Sequence, residues 1–290
     1  CEAAEVVFTS GATESINLVL RGLATAHAEQ GRHIVTTLIE QPATLACCQA
    51  LERDGFQVTY LCPESDGRVA PASVAAALRP DTLLISIMHI NNETGVMQPI
   101  DAIAGIAAEQ GVLLHVDAAQ SAGKFPIHLH QAQIDLLSLS AHKFHGPKGI
   151  GCLLIRDRRR LPIRPLVYGG GQEFGLRPGT LPTHQILGLA AALELAAERR
   201  ADDLARVAVL KARFLAKLSA ALPIGPSAPR GGRHPAGTAF NRMAGLQQGA
   251  SRVVVEGKNV RDSKCRGFKR PRVTRPRDRW RVAGTRSACG

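Results

Sequence analysis

Residues 135–155 read DLLSLSAHKFHGPKGIGCLLI, and the fold turns on how this stretch is parsed. Leu136–Ser140 is a short apolar run that closes on Ser140, Ala141, His142 and Lys143; a Gly/Pro turn follows, and the apolar run resumes at Gly151–Ile155. Runs of this length bounded by turn residues read as strands of a sheet covered on both faces. Working outward, the same signature recurs at Val6–Thr9, His33–Leu38, Gln57–Leu61, Thr82–Met88 and Leu113–Asp117. Between these runs lie helical periodicities at Glu14–His27, Ala43–Asp54, Pro71–Leu78 and Ile100–Gln110, mostly ended by Gly or Pro, as at Gly55 and Gly111. Strands alternating with helices predict an α/β fold, with a mainly parallel sheet and helices on both faces.

Past Thr180, LPTHQILGLAAALELAAERR and ADDLARVAVLKARFLAKLSAAL both read as long amphipathic helices. The expected organisation is a large domain over 1–200, a linking helix over 201–222 and a basic, poorly patterned segment over 223–290 in place of a small domain. The net charge of +12 belongs to that last segment: it holds 16 Lys+Arg against 3 Asp+Glu, whereas residues 1–222 hold 20 against 21. A nucleic-acid partner would rest on this segment alone, without a fold or aromatic platform behind it, so none is expected.

At 290 residues, 45% of them hydrophobic, the chain can bury a large core, which excludes disorder of the whole. No apolar run reaches bilayer length, and CEAAEVVFTSG lacks the basic and apolar parts of a signal peptide, so the expectation is a cytoplasmic protein without a membrane partner. The seven cysteines show no CxxC spacing, and His128/His130 and His142/His145 have no acidic or thiol cluster beside them. Neither a disulfide framework nor a metal site is expected.

In parallel sheets ligands bind beyond the carboxyl ends of the strands, and here those ends are polar. Lys143 is an amine at a strand end, able to form an imine with an aldehyde if its pocket is partly desolvated. LLHVDAAQSAGK (113–124) closes another strand on Asp117, with Gln120 three residues on. A carboxylate there could pair with a protonated pyridine nitrogen; alone, it would read as a helix N-cap. VVFTSGATES (6–15) is a strand, then Ser10, Gly11, Ala12 and Thr13, then a helix, a place where small residues and bare N–H groups can meet a phosphate. MHINNETG (88–95) offers His89, Asn91, Asn92 and Glu93 as hydrogen-bonding groups for a ring hydroxyl or an amino-acid substrate.

Taken together, FTSGATES, SIMHINNETG, HVDAAQSAGK, SLSAHKFHGPKG and GGGQEFGLRPGT resemble the cysteine desulfurase family, in the class-V aminotransferase group, over roughly residues 5–220. The resemblance implies fold type I of the pyridoxal-phosphate enzymes, pyridoxal 5'-phosphate as cofactor, a homodimer, L-cysteine as substrate and a sulfur-acceptor protein, as in iron–sulfur cluster assembly. By the same resemblance Lys143 is the Schiff-base lysine and Asp117 the pyridine-nitrogen partner, while Gln120 and Asn92 contact the ring hydroxyl or the bound amino acid. Ala12, Thr13, Ser140 and His142 match phosphate-binding positions, and Thr180 matches a residue given to the phosphate by the neighbouring subunit.

The pattern departs from the family in three places. Gln41, in TTLIEQPATLACC, stands where the family has a histidine stacked on the ring, and an amide cannot shuttle protons near neutral pH. The expected substrate-carboxylate arginine and small domain are not recognisable past Leu222, and the family's N-terminal segment is missing. This reads as truncation at both ends with an out-of-frame or degenerate tail. RSACG (286–290) resembles the loop of the sulfur-accepting cysteine, which makes Cys289 the candidate nucleophile ahead of Cys265. The competing expectations are another class-V enzyme, either an aminotransferase or a selenocysteine lyase, and an inactive fragment that binds cofactor.

Overall fold

A computed structural model gives the structure, which describes residues 1–221. Seven strands form one sheet: β1 (Val6–Thr9), β2 (His33–Thr37), β3 (Gln57–Leu61), β4 (Thr82–Met88), β5 (Leu113–Asp117), β6 (Leu136–Ser140) and β7 (Gly151–Ile155). The helices are α1 (Ala12–His27), α2 (Pro42–Arg53), α3 (Pro71–Ala77), α4 (Ile100–Gln110) and α5 (Thr183–Ala221). The spatial order is β1-β7-β6-β5-β4-β2-β3, and only β7 pairs antiparallel, with β1 on one side and β6 on the other. The expected mainly parallel α/β sheet is therefore what the chain forms.

Both faces are covered, and neighbouring residues of a strand go to opposite sides. Ile34, Leu84, Leu136 and Leu153 pack with Ile16, Leu20 and Leu23 of α1 and Cys48 and Leu51 of α2. Val35, Ile85, Leu137 and Cys152 pack with Val74 of α3, Ile103 and Ala107 of α4 and Leu189 of α5. This explains why the strands read as continuous apolar runs rather than alternating ones. Each fully buried Leu or Ile contributes about 1.5–3 kcal/mol, so a polar substitution at a residue such as Ile85 would break the sandwich.

Two helices start earlier than the periodicity suggested, and both starts matter. α1 begins at Ala12, straight after the Ser10–Gly11 turn, and α2 begins at Pro42, a position where a missing N–H costs a helix nothing. The two amphipathic stretches after Thr180 form a single 39-residue helix. Nothing at Arg199–Arg200–Ala201–Asp202 interrupts it: there is no Gly or Pro, and strong helix formers continue on both sides.

Candidate active site

β1, β2, β4, β5 and β6 end, and β7 begins, along one edge of the sheet. A cavity of about 500 Å³ opens there. One wall is the β1–α1 turn. Gly11 has φ 149°, a conformation that L side chains rarely adopt, and Thr9 Oγ1 pins the turn by donating to the Gly11 carbonyl (3.1 Å) beside Ser15 Oγ (2.8 Å). No side chain caps the first turn of α1, so its N–H groups stay available beside the cavity. β7 permits this close approach because residue 151 is glycine: a Cβ there would lie 2.7 Å from Gly11 Cα and would run into the Leu139 carbonyl.

The opposite lip is the turn Ala141–Phe144 after β6, which brings His142 and Lys143 to the cavity. Ser140 Oγ and His142 Nδ1 are 2.9 Å apart. Burial holds the His142 pKa below the ordinary histidine range, and the cations of Lys143 and Lys148 lower it further. An anion held between this lip and the α1 turn would meet hydroxyl, imidazole and backbone donors together.

Asp117 lies at the end of β5, buried. Its Oδ1 accepts the Ala119 N–H (2.9 Å), and its Oδ2 accepts from Gln41 Nε2 (3.2 Å). A turn rather than a helix follows, so the N-cap alternative accounts for only one of the two oxygens. Burial raises the Asp117 pKa above the usual carboxylate value, opposed by those two hydrogen bonds and by the charge of Lys143. Gln41 is the residue before α2, and its side chain turns to Asp117 instead of capping its own helix.

Ala12, Thr13, Gln41, Asn92, Asp117, Gln120, Ser140, His142 and Lys143 all line the one cavity. Thr180 does not; it is exposed on the segment before α5. Cys289 and Cys265 lie outside the described residues. Asn91, beside Asn92, takes a structural part instead: its Nδ2 donates to the Ile39 carbonyl (2.9 Å) and its Oδ1 accepts the N–H groups of Glu93 and Thr94. The reading of the sequence missed Pro42, Met88, Ile90, Ala119 and Lys148 as cavity walls. Lys148 carried one visible signal, a second lysine within the same turn as Lys143. Among the described residues no cluster of His, Cys, Asp or Glu could hold a metal.

A lysine, a buried carboxylate and an uncapped helix start around one cavity at the strand ends fit pyridoxal phosphate, which presents an aldehyde, a basic ring nitrogen and a phosphate. The class-V aminotransferase family model matches residues 1–225, and the chain belongs to that family, whose members use pyridoxal phosphate. Within it, the chain is similar to cysteine desulfurases. It is 51% identical over 214 residues to cysteine desulfurase IscS of Pseudomonas aeruginosa (strain UCBPP-PA14), covering 74% of this chain and 53% of that protein. The IscS of Azotobacter vinelandii is likewise 51% identical over 215 residues, with 74% and 53% covered. Among solved structures, DndA from Streptomyces lividans superposes with a TM-score of 0.71 at 44% identity, covering 75% of this chain and 62% of that one. The structure of SspA in complex with cysteine superposes with a TM-score of 0.65 at 48% identity, covering 67% and 56%. The chain spans about half the length of the curated relatives it matches.

Proposed function

We propose that this chain is the cofactor-binding part of a cysteine desulfurase, which takes sulfur from L-cysteine to leave L-alanine and an enzyme persulfide for an acceptor protein. The observation that carries the reading is the meeting of Lys143, Asp117 and the uncapped α1 turn in one cavity. The relatives are cysteine desulfurases, and one structural neighbour was solved with cysteine, which supports the choice of substrate.

Bound there, pyridoxal phosphate supplies an electron-accepting ring that weakens the bonds around the α-carbon of an amino acid. Lys143 Nζ would hold the aldehyde carbon and could move protons at the substrate carbons. Asp117 would keep the ring nitrogen protonated, and Ala12, Thr13, Ser140 and His142 would hold the phosphate. Asn92 and Gln120 orient the ring hydroxyl or the bound amino acid. Gln41 lays its amide against the site and donates to Asp117; it holds no proton to move, so proton traffic falls to Lys143.

The sulfur acceptor must be a reactive thiolate. Burial pushes the thiols of Cys47, Cys48 and Cys152 up to about 11, 12 and 12, and none of the described cysteines lines the cavity. The resemblance of RSACG to the family's sulfur-accepting loop is what proposes Cys289 for this role. Exposed Thr180 serves the phosphate of a second copy, so the working form is a homodimer. Residues 1–200 act as the cofactor domain, and the part of α5 beyond residue 200 acts as the link. No helix among the described residues is long and apolar enough to cross a membrane, and the proposed location is the cytoplasm.

An absorption spectrum of the purified chain with pyridoxal phosphate, before and after cysteine, tests the reading. A bound-cofactor band that changes with cysteine, with sulfide released when a thiol reductant such as dithiothreitol is added to reduce the persulfide, and both lost in Lys143→Ala, is expected. Amino-acid turnover that survives removal of every cysteine would assign the chain to another class-V activity. Gln41 favours one further reading, a fragment that binds cofactor without turnover, which a bound-cofactor band unmoved by cysteine would establish.

A further inference from the structure

The loop leaving β2 carries a buried carboxyl that the chemistry above does not use. Glu40 has only 5% of its surface exposed. Its Oε1 accepts both Thr37 Oγ1 (2.7 Å) and the Met88 N–H (3.0 Å), whereas Oε2 is buried with no hydrogen-bond partner. The residues on either side are fixed as well. The Ile39 carbonyl accepts from Asn91 Nδ2 (2.9 Å), and Gln41 Nε2 donates to Asp117 Oδ2 (3.2 Å). The backbone carbonyl of Asp117 in turn accepts the His89 N–H (2.9 Å). Glu40 is thus the centre of a clamp that joins the ends of β2, β4 and β5 under the cavity.

Ionised, Glu40 would leave a charged oxygen without a donor inside the protein and close to a second carboxylate, Asp117. Such a carboxyl escapes the penalty by keeping its proton. The two acids are unequally provided: Asp117 has one donor on each oxygen and Lys143 nearby, while Glu40 has both of its donors on a single oxygen. We propose that Glu40 is a neutral carboxylic acid protonated on Oε2, a positioning residue that sets Gln41 against Asp117 and leaves the negative charge to Asp117. Burial pushes its pKa up to about 8 in spite of the Met88 and Thr37 hydrogen bonds, and the charge of Asp117 adds to the rise. The titratable groups facing it are Asp117 on β5 and Cys48 on α2, with Lys143 beyond Asp117; β2 and β4 present only a hydroxyl and an N–H.

The test is a carbon-13 NMR titration of the full chain labelled at its glutamate carboxyls, without cofactor, alongside Glu40→Gln and Glu40→Ala. One signal, missing from Glu40→Gln, should titrate near pH 8 instead of near 4.5. Because its folded pKa lies above its unfolded one, Glu40 stabilises less and less as pH rises between those values, so Glu40→Gln should gain stability on the parent from about pH 5 to about pH 8 and level off beyond. Titration of every glutamate below about pH 6 overturns the neutral acid. The parent titration decides this even if Glu40→Gln does not fold.

The positioning half rests on the cofactor reading. Glu40→Ala should weaken pyridoxal-phosphate binding about tenfold or more, and Glu40→Gln should restore it to within about threefold, since the amide can still accept at one oxygen. Binding by Glu40→Ala equal to that of the parent overturns the positioning role. If Glu40→Ala does not fold, Thr37→Val, which removes one clamp donor, replaces it with an expected weakening of about threefold. No binding by the parent itself overturns the cofactor reading and the positioning role together, and leaves the titration result standing.

Discussion

Asp117→Asn asks how much cofactor affinity rests on one buried negative charge. The side chain keeps its shape. Its oxygen can still accept the Ala119 N–H at 2.9 Å, but the new amide nitrogen replaces the oxygen that faces Gln41 Nε2 at 3.2 Å, donor against donor. A half-turn of the Gln41 amide presents its oxygen instead and restores a neutral hydrogen bond. The fold should therefore lose no more than about 1 kcal/mol, the worth of one such bond, and it gains relief from holding a carboxylate whose pKa burial already raises. On the proposed pairing, the ring nitrogen of pyridoxal phosphate would lose a charge-assisted partner worth about 1.5–3 kcal/mol, which would weaken binding about 10- to 150-fold. Absorbance titration with pyridoxal phosphate gives the Kd, and thermal melting of the cofactor-free chain gives the fold. A Kd within about twofold of the parent, with unchanged melting, would remove Asp117 from the ring nitrogen and take the pairing logic with it.

Gly151→Ala should cost about 1–3 kcal/mol, because the new methyl would sit 2.7 Å from Gly11 Cα and push the β1–α1 turn outward. A urea midpoint unchanged from the parent would show that the turn is not held against β7. His115 is fully buried between Ser86 Oγ (2.9 Å) and Ser138 Oγ (2.8 Å), and burial drives its pKa down to about 3 from 6.5. Between those values the unfolded chain binds the extra proton, so the contribution of His115 is whole above about pH 6.5 and falls by about 1.4 kcal/mol per unit as pH drops. His115→Asn should flatten that acid limb, and urea midpoints at several pH values check it; parallel losses in parent and variant would refute the assignment.

What the sequence made legible follows from how local each signal is. All seven strands could be read because a strand covered on both faces is a short apolar run, and Leu136–Ser140 or Leu113–Asp117 carries that mark without reference to anything else. The chemical residues were legible for a related reason: Lys143, Asp117 and the SGAT turn each sit where an apolar run stops. The start of α1 was placed two residues late because it depends on the φ of Gly11 and on its close approach to β7, which Gly151, far along the chain, permits. The continuity of α5 past Arg200 was hidden by the polar run ERRADD (198–203), which interrupts the apolar periodicity without breaking the helix.

The partnerships around Asp117 were not legible, and the reason is geometric. Gln41 and Asp117 are 76 residues apart, and Glu40 and Met88 are 48 apart, so no periodicity or spacing couples them. Glu40 reads in sequence as an ordinary acidic residue near a helix start, where a carboxylate is favoured without burial. Only the sheet order, with β2 beside β4 and β4 beside β5, carries its side chain inward to the Met88 N–H. The consequence bears on Gln41 itself. A histidine at that position could carry a positive charge beside Asp117, whereas an amide cannot, so beyond the charge of Lys143 near Asp117 the balancing of the two buried acids comes from a proton on one of them. Glu40, with its unpartnered oxygen, is the acid built to take it.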